Sequence, residues 1–313
     1  MKTILLTAAG SASALPVLRR YQAAGLRVVA CDIYPRAWNA APLAADEFFQ
    51  ALPVTDEAAY VQQMLDAVRR YGVDALIPLT DVEVDVLCSR KAEFLALGCT
   101  LCTPSEETVR LCRDKLSMAQ RLEAAGVCRT IPTYDVENLP ADIAFPLMLK
   151  PRSGRSSQGQ AVVRSREELA AAIARRDDYI AQPFITGNIF TVDAARDAAG
   201  QTQTLVRQEL LRTGNGLGTT VEVYDAHPLE QTCAAIAREI GLVGVVNMEF
   251  IHHEGEYFFL EVNPRFSGGT GFSQQAGMDC ALMMLQTMQG QAIPPHPAVR
   301  PGIYTRQVEI IGG

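Results

Sequence analysis

The chain has 313 residues, 48% of them hydrophobic and 20% charged, which is enough apolar mass for two or three packed domains. Its net charge of −7, with acids and bases interspersed, carries no basic footprint for nucleic acid, and no apolar run reaches the length of a bilayer span, so neither is an expected partner. Eight cysteines in so long a chain do not make a disulfide scaffold, and Met1 to Thr7 runs directly into a strand rather than a secretory leader, so the cytoplasm is the expected compartment.

Residues 1 to about 105 alternate short apolar strands with helices. Strands are predicted at Thr3–Thr7, Arg27–Cys31, Ala75–Pro78 and Cys99–Cys102, and helices at Ala12–Ala24, Glu57–Tyr71 and Val84–Leu97. Such alternation implies a parallel sheet with right-handed crossovers, a Rossmann-like unit. The first strand-to-helix loop, Ala8 to Ser13, has one glycine where a dinucleotide fingerprint has three, so Asp32 at the end of the second strand is a weak signal for a nicotinamide cofactor. Cys99 and Cys102 form a solitary CxxC inside a strand, with no second pair or nearby histidine to complete a zinc site. Thr80, Asp81 and Glu83 lie just past a strand's carboxyl end, where open α/β sheets bind ligands; Asp81 also has the chemistry of a helix cap.

Thr103–Glu107 has capping chemistry and opens a second unit, with helices at Glu107–Leu111 and from Asp114–Lys115 to Ala125. The run Phe145 to Gly159 is a strand ending in Lys150, then a loop of small polar residues and glycines, then a returning strand at Gln160–Arg164. Backbone amides of such a hairpin can fold over phosphates while Lys150 supplies a point charge, although the P-loop ending and its helix are missing. A helix at Glu167–Arg176 and a strand at Tyr179–Phe184 follow.

Strands at Ile189–Ala194 and Thr204–Leu211, the second carrying Arg207, Glu209 and Arg212 outward, lead to a helix at Asp225–Ile240 with Pro228 in its first turn. Two further strands, Val245–Ile251 and Tyr257–Val262, are joined across His252 to Glu256. Alternation puts Glu261 and Asn263 on one face with Val262 on the other. Hairpin pairing would let Glu249 and Glu261 flank the same ions, and hard oxygen ligands beside Arg265 suit a Mg²⁺–polyphosphate site. A helix at Asp279–Gln289, a proline-rich stretch around His296, and a strand at Tyr304–Ile311 complete the chain.

Together these features resemble the ATP-grasp superfamily, and more closely its carbamoyl-phosphate-synthase-like branch, over nearly the whole length. The residues that carry the likeness are Lys115, Lys150 before its hairpin, the Gln-x-Phe-Ile-x-Gly segment Gln182–Gly187, Glu249, and the run Glu261, Asn263, Pro264, Arg265. The resemblance implies a mixed α/β and α+β fold: a Rossmann-like pre-ATP-grasp domain at 1-105, then a two-lobed ATP-grasp fold with its small lobe at 106-181 and its large lobe, bearing the metal site, at 182-313.

It also implies ATP with Mg²⁺, or Mn²⁺ in its place, and roles for particular residues. Lys115 and Lys150 would contact nucleotide phosphates, and Ser153, Gly154, Ser156, Ser157 and Gly159 would close over them. Gln182, Phe184 and Ile185 would hold adenine. Glu249, Glu261 and Asn263 would bind the metal ions, and Arg265, with Lys150, would serve the reacting phosphate. The expected activity is a ligase joining a small-molecule carboxylate to an amine or thiol through an acyl-phosphate, with substrates near Asp81, Glu83, Arg207 and Arg212; homodimers are common in such a family. Two positions depart from the pattern: Ile189 stands where a ribose-binding glutamate is usual, and Pro183 follows Gln182. They motivate the alternative of a non-catalytic nucleotide- or metabolite-binding module.

Overall fold

The computed structural model describes residues 1–154, 158–174, 178–295 and 298–307. Ser156, Ser157, His296 and the end of the last expected strand lie outside them.

The amino-terminal unit runs β1 (Thr3–Leu6), α1 (Ala14–Ala23), β2 (Arg27–Asp32), α2 (Ala40–Ala44), β3 (Glu47–Gln50), α3 (Glu57–Tyr71), β4 (Ala75–Ile77), α4 (Asp81–Leu87), α5 (Lys91–Leu95) and β5 (Thr100–Leu101). Its strands form a parallel sheet in the order β3-β2-β1-β4-β5. β1 and β4 are buried along their whole length, because helices cover both faces of a parallel sheet. Two sequence expectations need correction. The helix read over Val84–Leu97 is interrupted by a 3₁₀ turn at Cys88–Arg90, and β3, too short and polar to show a strand pattern, went unread.

The middle of the chain contributes α6 (Glu106–Arg113), α7 (Lys115–Ala125), β6 (Arg129–Thr130), β7 (Tyr134–Asp135), β8 (Leu147–Pro151), β9 (Ala161–Val163), α8 (Arg166–Ile173) and β10 (Tyr179–Pro183). β7, β10, β8 and β9 form an antiparallel four-stranded sheet in that order. Then come β11 (Asn188–Arg196), β12 (Thr202–Arg212), β13 (Gly218–Val223), α9 (Leu229–Glu239), β14 (Gly244–His253), β15 (Glu256–Asn263), α10 (Thr270–Ala276), α11 (Cys280–Met288) and β16 (Gly302–Thr305). These strands, with β6 at one edge, make a seven-stranded sheet ordered β16-β13-β12-β11-β14-β15-β6. The helix expected from Asp225 begins at Leu229, because Pro228 takes the cap position rather than a place in the first turn.

Alternation on the large sheet divides two environments. Phe190, Val192, Val206, Met248, Phe250 and Val262 face α9 in one apolar core. The opposite face carries Thr191, Asp193, Arg207, Glu249 and Glu261, which the strand register brings into neighbouring rows. Further along the same sheet, Ala195, Leu205, Val221 and Val245 pack with α1 and α11 into a core shared with the amino-terminal sheet. That shared core fixes the position of the amino-terminal unit over the polar face.

Candidate active site

A cleft of about 570 Å³ opens where the three units meet. The four-stranded sheet supplies Met148, Lys150 and Gln182; the seven-stranded sheet supplies Ile189, Thr191, Glu249 and Glu261; the amino-terminal unit supplies Ser11, Thr80 and Asp81. Phe184, Ile185, Arg207, Arg212, Asn263 and Arg265 also line it. Most of the expected site residues are thus brought to one place from three sheets.

Glu249 and Glu261 are directly paired across β14 and β15, as are Asn247 and Asn263. Beyond Glu249 the register slips, Phe250 pairing with Phe259, so Leu260 is the extra residue of a β-bulge and joins Glu261 in lining the cleft. Burial raises the Glu249 carboxyl to about 6, and the facing Glu261 adds to the rise; Arg212, whose Nη2 donates to Glu249 Oε2 at 3.2 Å, opposes it. Asn263 Nδ2 donates to Glu261 Oε1 at 3.3 Å.

This oxygen-only donor set fits a hard divalent cation, which would relieve the repulsion that pushes Glu249 up. Among the described residues no group of three or more histidine, cysteine, aspartate or glutamate side chains forms a metal cage. A Mg²⁺ that takes one or two carboxylates and completes its shell with phosphates and water does not require one.

The lysines stand across from the acids. Lys115 Nζ lies 3.8 Å from Glu261 Oε2 and donates to Gly154 O at 2.9 Å, tying the helix start to the hairpin loop. Burial lowers the Lys115 ammonium, against the pull of Glu261. Lys150 is likewise lowered by burial, with Glu261 opposing and Lys115 reinforcing the shift. Two desolvated cations facing two carboxylates are poised to exchange those partners for polyphosphate oxygens.

α7 presents Lys115 because Asp114 caps it, accepting from Leu116 and Ser117 N–H, and is gripped by Arg152 at 2.8 and 2.6 Å. Gln182 is buried, donating to Thr133 Oγ1 at 2.8 Å, and its Oε1 has no hydrogen-bond partner among the described residues. Phe184 N–H is donated to Pro146 O.

Three expected substrate residues behave differently from the sequence reading. Arg207 does not point outward to meet a substrate carboxylate: its side chain is 1% exposed, donating to Asp193, Ser273 and Ser267 at 2.8, 2.8 and 2.9 Å. Burial works against its charge, yet Asp193 and Glu209 hold its pKa above the usual value. The reason is topological: Ser273 of α10 and Ser267 close over the Arg207 guanidinium at the floor of the cleft. Glu83 is buried and lies outside this cleft, accepting from Thr80 and from Tyr60 OH at 2.9 Å. Asp81 is also buried, and it accepts from Arg265 Nη2 at 2.8 Å while facing Arg113.

Sequence reasoning missed Ile131, Ile251 and Leu260 as apolar walls of the cleft. Only the bulge could have revealed Leu260, and a bulge leaves no trace in composition.

Residues 161–311 match the family described as ATP-grasp in the biosynthetic pathway with Ter operon, and residues 4–102 match the PylC-like N-terminal domain. The chain is 25% identical over 287 residues to biotin carboxylase from Haemophilus influenzae, covering 80% of this chain and 62% of that one. It is 26% identical over 163 residues to the carbamoyl phosphate synthase large chain of Clostridium beijerinckii, covering 47% of this chain and 15% of that one. The chain therefore spans less than two thirds of the length of these curated relatives. A biotin carboxylase–ATP complex from Campylobacter jejuni has the same fold, with a TM-score of 0.78 at 20% identity over 96% of this chain and 73% of that one.

Proposed function

Because the chain belongs to the ATP-grasp superfamily, we propose that it is an ATP- and Mg²⁺-dependent ligase. It joins a small-molecule carboxylate to an amine or thiol acceptor through an acyl-phosphate, releasing ADP and phosphate, with C–N bond formation the favoured outcome. The observation that supports this reading is the direct cross-strand pairing of Glu249 with Glu261 in a cleft also lined by Lys150 and Arg265.

Phosphoryl transfer asks a protein mainly for positioning and charge neutralisation. On this reading Lys150 and Lys115 draw in the phosphates, while Ser153, Gly154 and Gly159 close over them. Glu249, Glu261 and Asn263 would hold a metal ion, which would supply charge neutralisation. Arg265, steadied by Asp81 and Asn263, faces the oxygens on which charge develops. Gln182, Phe184 and Ile185 hold the purine between the sheets. The pre-ATP-grasp domain (1-105), small lobe (106-181) and large lobe (182-313) each supply one side of the reaction.

Phosphate release from ATP and Mg²⁺ with a panel of carboxylates, each offered amines and thiols, tests the proposal. Release that needs both a carboxylate and an acceptor supports it. One observation favours a second reading, a nucleotide-binding module without turnover: Ile189 faces the cleft in register with Ile251, with no carboxylate there for ribose. ATP binding with no phosphate release across the panel would select that reading.

A further inference from the structure

Beside the cleft lies a second cavity of about 630 Å³, walled by loops at the carboxyl ends of β1 to β4. It shares Ser11, Thr80 and Val82 with the cleft, so the two open onto a common boundary. We propose that this cavity binds the apolar body and a non-reacting ammonium group of a substrate, holding them while the substrate's separate reacting end reaches across Ser11 and Thr80. The inference rests on the ligase reading above and adds to it a substrate class.

Three observations support it. Open α/β sheets receive ligands in the crevice at the carboxyl ends of their strands, and the cavity occupies that crevice. Its walls, including Ile33, Val54, Val82 and Val86, are largely apolar. Two of the large hydrophobic side chains left in water line it, Ile33 at 48% exposure and Tyr34 at 50%, and Tyr34 is stacked on Trp38, 70% exposed, at 5.7 Å between ring centroids. Exposed aromatic faces of this kind attract both apolar bodies and cations.

Charge selects the class. The lining includes Asp32, Glu57, Glu83 and Asp85, and no lysine, arginine or histidine. Asp32 accepts from Gly10 and Tyr34 N–H, Glu83 from Tyr60 and Thr80, and Asp85 faces Arg113 at 3.2 Å. Glu57, in the exposed first turn of α3, forms no hydrogen bond or ion pair among the described residues, and so is the carboxylate open to an ammonium group. The same lining disfavours a dinucleotide: the Gly10 amide that would meet a phosphate is already committed to Asp32, and four carboxylates repel the phosphate charge.

Calorimetry on the full chain tests this with 2-phenylethylamine, phenylacetate and ethanolamine as probes, and ATP with Mg²⁺ titrated separately. The phenylethylamine is expected to bind at millimolar concentrations in preference to the other two. Val54→Trp, which fills the cavity, should weaken it about tenfold or more, a change of about 1.4 kcal/mol, and leave ATP binding unaltered. Glu57→Gln should weaken it about two- to fivefold, and carries the test should the tryptophan variant not fold. Phenylacetate or ethanolamine binding as well as phenylethylamine, no amine binding, or amine binding indifferent to both substitutions overturns the proposal. Absence of ATP binding would instead remove the ligase reading and is scored independently.

Discussion

Glu249 and Glu261 face each other across two antiparallel strands, with Arg212 at 3.2 Å from Glu249 and Lys115 at 3.8 Å from Glu261 offsetting part of their charge. Like charges directly opposite in a sheet are destabilising, so the pairing is a local cost in the unliganded protein that a cation removes. Glu249→Gln is therefore expected to raise stability to urea by about 1 kcal/mol in the absence of ligand. The same change should abolish the Mg²⁺ dependence of ATP binding. Unfolding curves and calorimetry on one variant read both effects, and loss of stability would contradict this account.

Lys150 sits in the same circumstance with opposite sign, an ammonium desolvated by burial and steadied by Glu261. Lys150→Met should fold as well as the wild type. Its affinity for ATP should fall about 10- to 100-fold, the worth of a hydrogen bond to a charged group, while adenosine binds unchanged. Equal losses for ATP and adenosine would place Lys150 away from the phosphates.

Arg207 is expected to act through the fold. It satisfies Asp193 and two serines in a buried network beneath the cleft, so Arg207→Ala leaves a buried carboxylate uncompensated and should cost about 3–5 kcal/mol. Pairing Arg207→Met with Asp193→Leu should recover most of that loss. Chemical denaturation of the single and double variants decides the point; a direct substrate role would instead leave stability untouched in the single variant.

Acid should loosen the start of α7. Burial pushes the Asp114 carboxyl up, but hydrogen bonds from Arg152 and Ser117 outweigh it and hold the group at about 2, against about 3.9 in an unfolded chain. The folded pKa is the lower of the two, so the stabilisation is complete above about pH 4 and is lost as pH falls toward 2. Because the pair is partly exposed, its worth is about 1 kcal/mol. Asp114→Asn should cost that much at pH 7 and almost nothing near pH 2, and should weaken ATP binding at neutral pH, since Lys115 is the next residue on the same helix. A pH-independent penalty would show that the cap, not the charge, is what matters.

The local chemistry was legible early. Alternation in Tyr257–Val262 placed Glu261 and Asn263 together, and the resemblance carried by Lys115, Lys150 and Gln182–Gly187 led to the same cleft. Strand β13 was not legible: Gly218–Val223 is short and lies between a glycine-rich turn and Asp225, and only its pairing with β12 makes it a strand. Nor was the fate of Arg207, because strand parity says which face a side chain takes and nothing about what covers that face.

What the sequence alone determined was therefore periodic and local: β1, β2, β4 and β5 of the amino-terminal sheet, the Glu261 and Asn263 face, the helix starting at Asp114–Lys115. Tertiary structure decided which polar groups find their partners inside the protein. Asp81, Glu83 and Arg207 share the residue types of a substrate site, yet Arg265, Tyr60 and Asp193 take their hydrogen bonds. A buried charge must find a partner inside the protein, and which partner comes within reach depends on packing between segments as far apart as Asp81 and Arg265, a separation that no local pattern encodes.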